Sequence, residues 1–230
     1  MLLEVIVQSE ADARAAADGG ADRLEVVRDI DQDGLTPSID VVRAIRSNTR
    51  LPLRIMIRDR NDFSAPDRQR LERLQQAIRS FADLGVDGAV VGFARGAELD
   101  LDATAAVLSV VPSLRATFHR AFDVAAEPAR ALDALRTLPQ IDRVLTTGGG
   151  GNWAVRCQRL QQYAELAGEH LTILAGGGVD ENAVRMLRSV AGLREVHVGR
   201  AARVSGAALA PVSVERVRRL KAIASSPHAQ

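Results

Sequence analysis

The chain has 230 residues, a hydrophobic fraction of 47% and a formal net charge of +1. These values are ordinary for a single globular domain and exclude a strong bulk attraction to nucleic acid or to a membrane surface. The lone cysteine, Cys157, excludes an intramolecular disulfide, and Glu4 interrupts the first apolar run, so that no signal-peptide pattern is found. We therefore expect a cytoplasmic protein with neither a nucleic acid nor a membrane as partner.

Strand-like and helix-like runs alternate eight times along the chain. The predicted strands are Leu2–Gln8, Asp22–Val27, Leu53–Arg58, Gly88–Phe93, Arg115–Arg120, Arg143–Thr147, Leu171–Ala175 and Glu195–Gly199. The predicted helices are Glu10–Asp18, Ile39–Ser47, Pro66–Leu84, Asp102–Val110, Pro128–Leu138, Val155–Ala167, Glu181–Val190 and Ser213–Ala224. Eight such units predict an α/β fold, a single-domain (β/α)8 TIM barrel over residues 1–230, with a disordered tail at 225–230.

The faces of the predicted strands favour this barrel over its rival, a doubly wound sheet. In the first strand, Leu3 and Val5 alternate with Glu4 and Ile6, so that one face is apolar and the other partly polar. Strands of a doubly wound sheet are usually apolar on both faces. The polar face collects Glu4, Glu25, Arg54, Arg58, Thr117, His119, Glu195 and His197. A closed barrel would bring these side chains into one interior, where charges must be paired or hydrogen-bonded.

His119, at the end of the fifth predicted strand, is the strongest candidate for chemistry. Active sites of such barrels lie at the C-terminal ends of the strands. We predict a catalytic set of His119 as general acid/base, Glu25 as its partner, and Asp123, which with Arg120 could orient the imidazole or bind substrate. The structural alternative is a core histidine bonded to a backbone carbonyl.

A second candidate group comes from strands one, two and eight, which become neighbours when a barrel closes. Carboxylates beside a histidine can hold a divalent metal or raise the pKa of one carboxyl group. The alternative is a structural network with inward-facing arginines, which is stronger for Glu4 and Glu195 because they lie early in their strands. The metal ligands that we predict are Glu25 and His197 from this group, together with His119 from the fifth predicted strand.

Arginines and glycines at other strand ends indicate an anion site. Arg58 could clamp a carboxylate or phosphate, and barrels often bind phosphate with the loops after strands seven and eight. The predicted anion-binding residues are Arg58, Arg120, Thr147, Gly177, Gly178, Gly199 and Arg200. The alternatives are a solvated charged loop and ordinary glycine turns.

Several motifs together resemble the CutC family. The two most specific are Gly34-Leu35-Thr36-Pro37-Ser38 and Thr117-Phe118-His119-Arg120-Ala121-Phe122-Asp123. The resemblance runs over almost the whole chain and also includes Leu2–Val5, Gly20–Glu25, Ile57–Arg60, Val144–Gly148, Gly176–Val179 and Glu195–His197. It implies a (β/α)8 barrel and a cytoplasmic role in copper homeostasis, with copper as the cofactor.

The chain departs from the family where relatives often carry cysteines. Val5-Ile6-Val7 and Val26-Val27 occupy those positions after the glutamates of the first two strands. Because Cu(I) prefers thiolate and thioether ligands, we expect weak copper binding.

Three functions therefore remain open. They are copper homeostasis by a copper-binding CutC-family protein, an enzyme acting on a small anionic or phosphorylated metabolite, and a binding module without turnover. A homo-oligomer is expected in each case. A metal at His119 and His197 would favour the first function, and an anion near Arg58 and Gly177 the second.

Overall fold

Eight parallel strands close into a barrel in the computed structural model, which describes residues 1–226. The strands are β1 (Leu2–Val7), β2 (Arg23–Val26), β3 (Leu53–Met56), β4 (Gly88–Val91), β5 (Arg115–Phe118), β6 (Ile141–Thr146), β7 (Thr172–Ala175) and β8 (Glu195–Val198). Pairing of β1 with β8, in which Glu4 lies opposite His197, closes the ring. The predicted TIM barrel is confirmed, and the open doubly wound sheet is excluded.

Eight α-helices surround this barrel. They are α1 (Glu10–Asp18), α2 (Ile39–Asn48), α3 (Arg68–Ala82), α4 (Leu101–Leu108), α5 (Pro128–Leu135), α6 (Trp153–Ala167), α7 (Glu181–Leu187) and α8 (Val214–Ser225). Ser38 and Asp180 cap α2 and α7 by accepting backbone N–H bonds from Val41 and Ala183. None of the helices within residues 1–226 is long and apolar enough to cross a membrane.

Two local features differ from the predicted elements. A short antiparallel hairpin pairs Ala94–Arg95 with Glu98–Leu99 in the loop after β4, where no strands were predicted. The tail prediction is wrong at its first residue, because α8 continues to Ser225 and ends at the cap residue Ser226. Residues 227–230 of that predicted tail lie outside the described residues.

The main hydrophobic core lies between the strands and the helices. Leu3, Val5 and Val7 of β1 are completely buried on the outer face of the barrel, as the alternation predicted. The inner face carries Glu4 and Ile6 of the same strand, so the barrel interior is partly polar. A small apolar cluster of Val27, Met56 and Val90, with Ile6 and Ile30 beside it, lies apart from the main core.

Candidate functional site

The N-terminal half of the barrel interior holds a paired arginine–carboxylate network. It consists of Glu4, Arg23, Arg54, Asp142, Arg143 and Glu195. Arg23 bridges Glu4 and Glu195, with 2.5 Å between its Nη2 and the Glu195 Oε2. Arg143 Nε donates to the same Glu195 oxygen at 2.9 Å. The structural interpretation of Glu195 is therefore correct, because this carboxylate is satisfied by two guanidinium groups.

Above this network, His197 lies between two glutamates and forms the Glu–His–Glu cluster (Glu4, His197, Glu25). Its Nδ1 is 2.7 Å from Glu4 Oε1, and its Nε2 is 3.6 Å from Glu25 Oε2. One ligand atom from each residue lies within 4.8 Å of the others, so the cluster could hold a metal ion. Glu25 Oε1 is buried and has no hydrogen-bond partner.

Burial and mutual charge separate the titration of the three groups. Burial raises the pKa of Glu25 to about 7, and Glu4 adds to this rise against the opposing effect of His197. For Glu4, burial is outweighed by Arg23 and His197, which together lower its pKa to about 2. Burial likewise opposes the charge on His197, but Glu25 and Glu4 raise its pKa. Glu25 is thus a carboxyl group that can gain or lose a proton near neutral pH.

His119 is held by the backbone rather than by Arg120 or Asp123. Its Nδ1 accepts the backbone N–H of Ala121 at 3.2 Å, which places the ring proton on Nε2. The ring is only 3% exposed and packs on Phe63, with 5.4 Å between the ring centroids. Burial, followed by the positive charge of Arg58, lowers the pKa of His119 to about 3. At neutral pH, His119 is therefore an uncharged N–H donor, which differs from the predicted proton-transferring acid/base.

Arg58 is a buried cation whose hydrogen-bond partners are all uncharged. Its Nε donates to Asp62 O, its Nη1 to Asp33 O and its Nη2 to Asn61 Oδ1, at 3.2 to 3.3 Å. The guanidinium also lies over Phe63, 5.0 Å from the ring centroid. Burial lowers the pKa of Arg58, but a guanidinium remains charged in a protein. The other two of its five N–H groups donate no hydrogen bond within the described residues.

A cavity of about 440 Å³ lies at the C-terminal ends of the strands, and we call it the mouth cavity. The predicted site residues that line it are Glu25, Arg58, His119, Arg120, Gly177, Gly178, His197, Gly199 and Arg200. Sequence reasoning missed Asp33, Phe63 and Arg216, which also line it. The sequence could have indicated Phe63, since it is the only aromatic residue between β3 and α3. Arg216 comes from the first turn of α8, and no feature of the sequence marks it as a cavity residue.

Asp123 and Thr147 are absent from the described lining of the mouth cavity and instead bind each other. The Asp123 carboxylate accepts from the backbone N–H of Thr147 at 3.2 Å and from Thr146 Oγ1 at 2.5 Å. These bonds tie the loop after β5 to the end of β6. Their roles in catalysis and anion binding stay predictions, while their observed contacts are structural.

The residues that the fold brings together as possible metal ligands differ from the predicted set by one residue. Glu25 and His197 are joined by Glu4, whereas His119 is not in the cluster. Two carboxylates and an imidazole suit Cu(II) or Zn²⁺ better than Cu(I), which prefers sulfur. Cys157 lies on α6, outside the barrel, where burial raises the pKa of its thiol. The residues present thus fit a divalent ion and do not fit Cu(I).

The closed barrel, with a polar cavity at the C-terminal ends of its strands, defines a TIM-barrel protein. The CutC family model matches residues 1–202. A CutC family protein from Xanthomonas campestris pv. campestris (strain 8004) is 35% identical over 212 residues, which cover 92% of this chain and 88% of that protein. The chain belongs to the CutC family, as the motif resemblance indicated.

Two further relatives extend this comparison. The human copper homeostasis protein cutC homolog is 32% identical over 208 residues, which cover 89% of this chain and 76% of that protein. The crystal structure of a CutC protein from Streptococcus agalactiae has a TM-score of 0.78 at 22% identity, covering 86% of this chain and 97% of that one. At this identity the structural likeness shows the fold alone. The chain is thus a homologue of proteins named for copper homeostasis.

Proposed function

We propose that the mouth cavity binds a small organic anion and that Glu25 exchanges a proton with it. The observation that carries this proposal is Arg58, a buried guanidinium that forms no ion pair within residues 1–226, although Asp33 and Asp62 lie near enough to act on its charge. Other buried arginines of the described chain, such as Arg54 and Arg70, each pair with an aspartate. A buried charge is costly unless it is paired, so an anionic group of a ligand would complete this position.

The loops around Arg58 support an anionic ligand. Gly177 and Gly178 have φ values of +75° and +77°, a region that favours glycine, and they present backbone directly at the cavity. Arg200 adds positive charge to the lining, whereas the charge of Arg120 is shared with Asp33 and Asp123 at 3.6 and 3.7 Å. A volume of about 440 Å³ is within the range of sites for small metabolites.

The anion site can be tested by calorimetric titration with inorganic phosphate and with 2-oxoglutarate. Each charge-assisted hydrogen bond contributes about 1.5–3 kcal/mol, so Arg58→Ala should weaken binding by about 10- to 150-fold. Arg60→Ala is the matched control, because Arg60 is exposed and only two residues away. Equal affinities of the Arg58 and Arg60 variants, or no binding of either anion at millimolar concentration, would refute the proposal.

A second candidate function is metal binding at the Glu–His–Glu cluster, which the names of the CutC relatives favour. Glu4, Glu25 and His197 would each offer one ligand atom to the ion. We propose preference for Cu(II) over Cu(I), since sulfur ligands are absent from the described cluster.

Titration with each copper oxidation state tests this second candidate. Cu(II) should bind with release of protons and should lose affinity in Glu25→Gln. Cu(I), measured against a competing chelator, should bind weakly, and Cys157→Ser should leave that result unchanged. Tight stoichiometric Cu(I) binding that survives Cys157→Ser would contradict the expected preference.

A further inference from the structure

Four buried side-chain atoms on the inner face of the barrel have no hydrogen-bond partner within residues 1–226. They are Glu25 Oε1, Arg54 Nε, Thr117 Oγ1 and His119 Nε2. Arg54 is paired with Asp142 through its two other nitrogens. Buried polar atoms are nearly always paired, so the remaining three call for a reason. Glu25 and His119 line the mouth cavity, and Thr117 precedes His119 by two residues on the same face of β5. A ligand in the cavity is the partner that would satisfy Glu25 and His119.

The unpaired atoms indicate which chemical groups such a ligand must carry. His119 Nε2 carries the ring proton, because Nδ1 is occupied by the Ala121 N–H, and it therefore needs an oxygen acceptor. Glu25 Oε1 is a carboxyl oxygen and needs a hydrogen that it can accept or remove. Arg58 supplies two free N–H groups for an anion. The ligand must reach across the barrel, because β2 and β5 are three strands apart around the ring.

Building on the proposed anion site, we propose that the mouth cavity catalyses enolisation of a small carbonyl compound that bears a carboxylate or phosphate. Glu25 is the base, His119 Nε2–H donates to the carbonyl oxygen, and Arg58 binds the anionic group. The Glu25 carboxylate takes the proton from the carbon next to the carbonyl, and the C–H electron pair forms the C=C bond. The carbonyl π pair moves to its oxygen, which becomes the enolate oxygen. Return of the proton from Glu25 to carbon completes the cycle without any co-reactant.

The residues around the mouth cavity would stabilise the negative charge that develops on the enolate oxygen. An uncharged N–H donor aimed at an enolate oxygen stabilises it without giving up a proton, and the low pKa of His119 keeps the donor uncharged. Ile6, Val27 and Met56 line the same cavity and restrict water, which strengthens the hydrogen bonds inside. Phe63 fixes the imidazole ring against rotation.

Deuterium exchange monitored by proton NMR tests the proposal without knowledge of the natural substrate. Pyruvate, 2-oxoglutarate and dihydroxyacetone phosphate are incubated with the protein in D2O, and binding of each is measured on the same samples. At least one bound probe should lose its C–H signal faster than in buffer. Because a positioned base contributes about 10²- to 10⁴-fold, Glu25→Gln should reduce exchange by that order. His119→Asn should reduce it by about 10²-fold or more, as loss of an oxyanion donor does.

Matched variants separate chemistry from folding. Glu72→Gln and His170→Asn change the same residue types at exposed positions and should leave exchange unchanged. If Glu25→Gln fails to fold, Glu25→Asp keeps the charge but withdraws the carboxylate by one methylene, which should slow exchange by about 10²-fold. Probes that bind without exchange would overturn the enolisation inference alone. Absence of binding by every probe would overturn the proposed anion site, and exchange that persists in the Glu25 variants would overturn the assignment of the base.

Discussion

Glu25→Gln should change how the stability of the protein depends on pH. Glu25 is buried, and its pKa rises from the ordinary 4.5 to about 7 in the folded state. Between these two values the folded chain keeps a proton on Glu25 that the unfolded chain has released. The free energy of unfolding contributed by Glu25 is therefore fully present below pH 4.5 and is lost as the pH rises through about 7.

The difference between the ordinary pKa of 4.5 and the folded-state pKa of about 7 corresponds to about 3 kcal/mol of unfolding free energy. Glutamine has the shape of protonated glutamate and does not titrate, so the variant should lack this decline. The wild-type free energy of unfolding minus that of Glu25→Gln should fall by about 3 kcal/mol between pH 4.5 and pH 8. Contributions from groups that keep the same pKa in both proteins cancel in this difference, and His197, whose pKa Glu25 raises, adds a decline of the same sign.

Urea unfolding at a series of pH values measures this difference. The single tryptophan, Trp153, lies at the start of α6 with the Arg156 guanidinium 3.6 Å above its ring, and its fluorescence should report loss of the packed helix. Glu72→Gln, at an exposed position on α3, should give a flat difference curve. A flat curve for Glu25→Gln, or one that rises with pH, would refute the reasoning that burial holds a proton on Glu25.

Three further substitutions probe other parts of the barrel. Arg23→Met leaves two buried carboxylates without their shared cation and should lower the free energy of unfolding by about 3–5 kcal/mol, measured in urea. Gly177→Ala forces a left-handed φ of +75° and a contact with the Thr147 side chain, so thermal unfolding should show a loss of at least about 1–2 kcal/mol. His119→Asn should weaken binding of 2-oxoglutarate in calorimetry while costing about 1–3 kcal/mol of stability.

Each of these three has a result that would contradict it. An Arg23→Met protein as stable as the wild type would mean that the arginine–carboxylate network relaxes or hydrates when its centre is removed. A neutral Gly177→Ala would mean that the loop after β7 can change its backbone conformation freely. Loss of stability in His119→Asn with 2-oxoglutarate binding intact would assign the histidine a structural role.

The fold could be predicted because it depends on periodicity within short segments. The alternation of Leu3 and Val5 with Glu4 sets which face of β1 meets the helices, and the same rule applies to the other strands. His119 and Arg58 could be placed at the cavity because each has the inward-facing parity at the end of a predicted strand. These inferences need no knowledge of how one strand pairs with another.

The contacts of the site could not be predicted, since they depend on register and loop conformation. Glu4 joins His197 because β1 and β8 pair with these two residues opposite each other, and nothing within either strand specifies that register. Asp123 binds the end of β6 rather than His119 because a short 3₁₀ helix, Arg120–Val124, turns its carboxylate that way. The sequence places Asp123 near the cavity but does not set this turn.

Charged side chains pair with one another in the lower, N-terminal half of the barrel interior but not in the upper half beside the mouth cavity. This contrast supports the proposed ligand in the upper half. In the lower half, Arg23 and Arg143 meet the carboxylates of their neighbours directly. In the upper half, Glu25 and Arg58 belong to adjacent strand–loop units, β2 and β3; Arg58 is charged, and the pKa of Glu25 is raised to about 7. Nevertheless Arg58 bonds to neutral oxygens and Glu25 keeps a buried oxygen unpaired. A chain selected only for stability would gain by pairing such groups, so their separation supports the proposed ligand site between them.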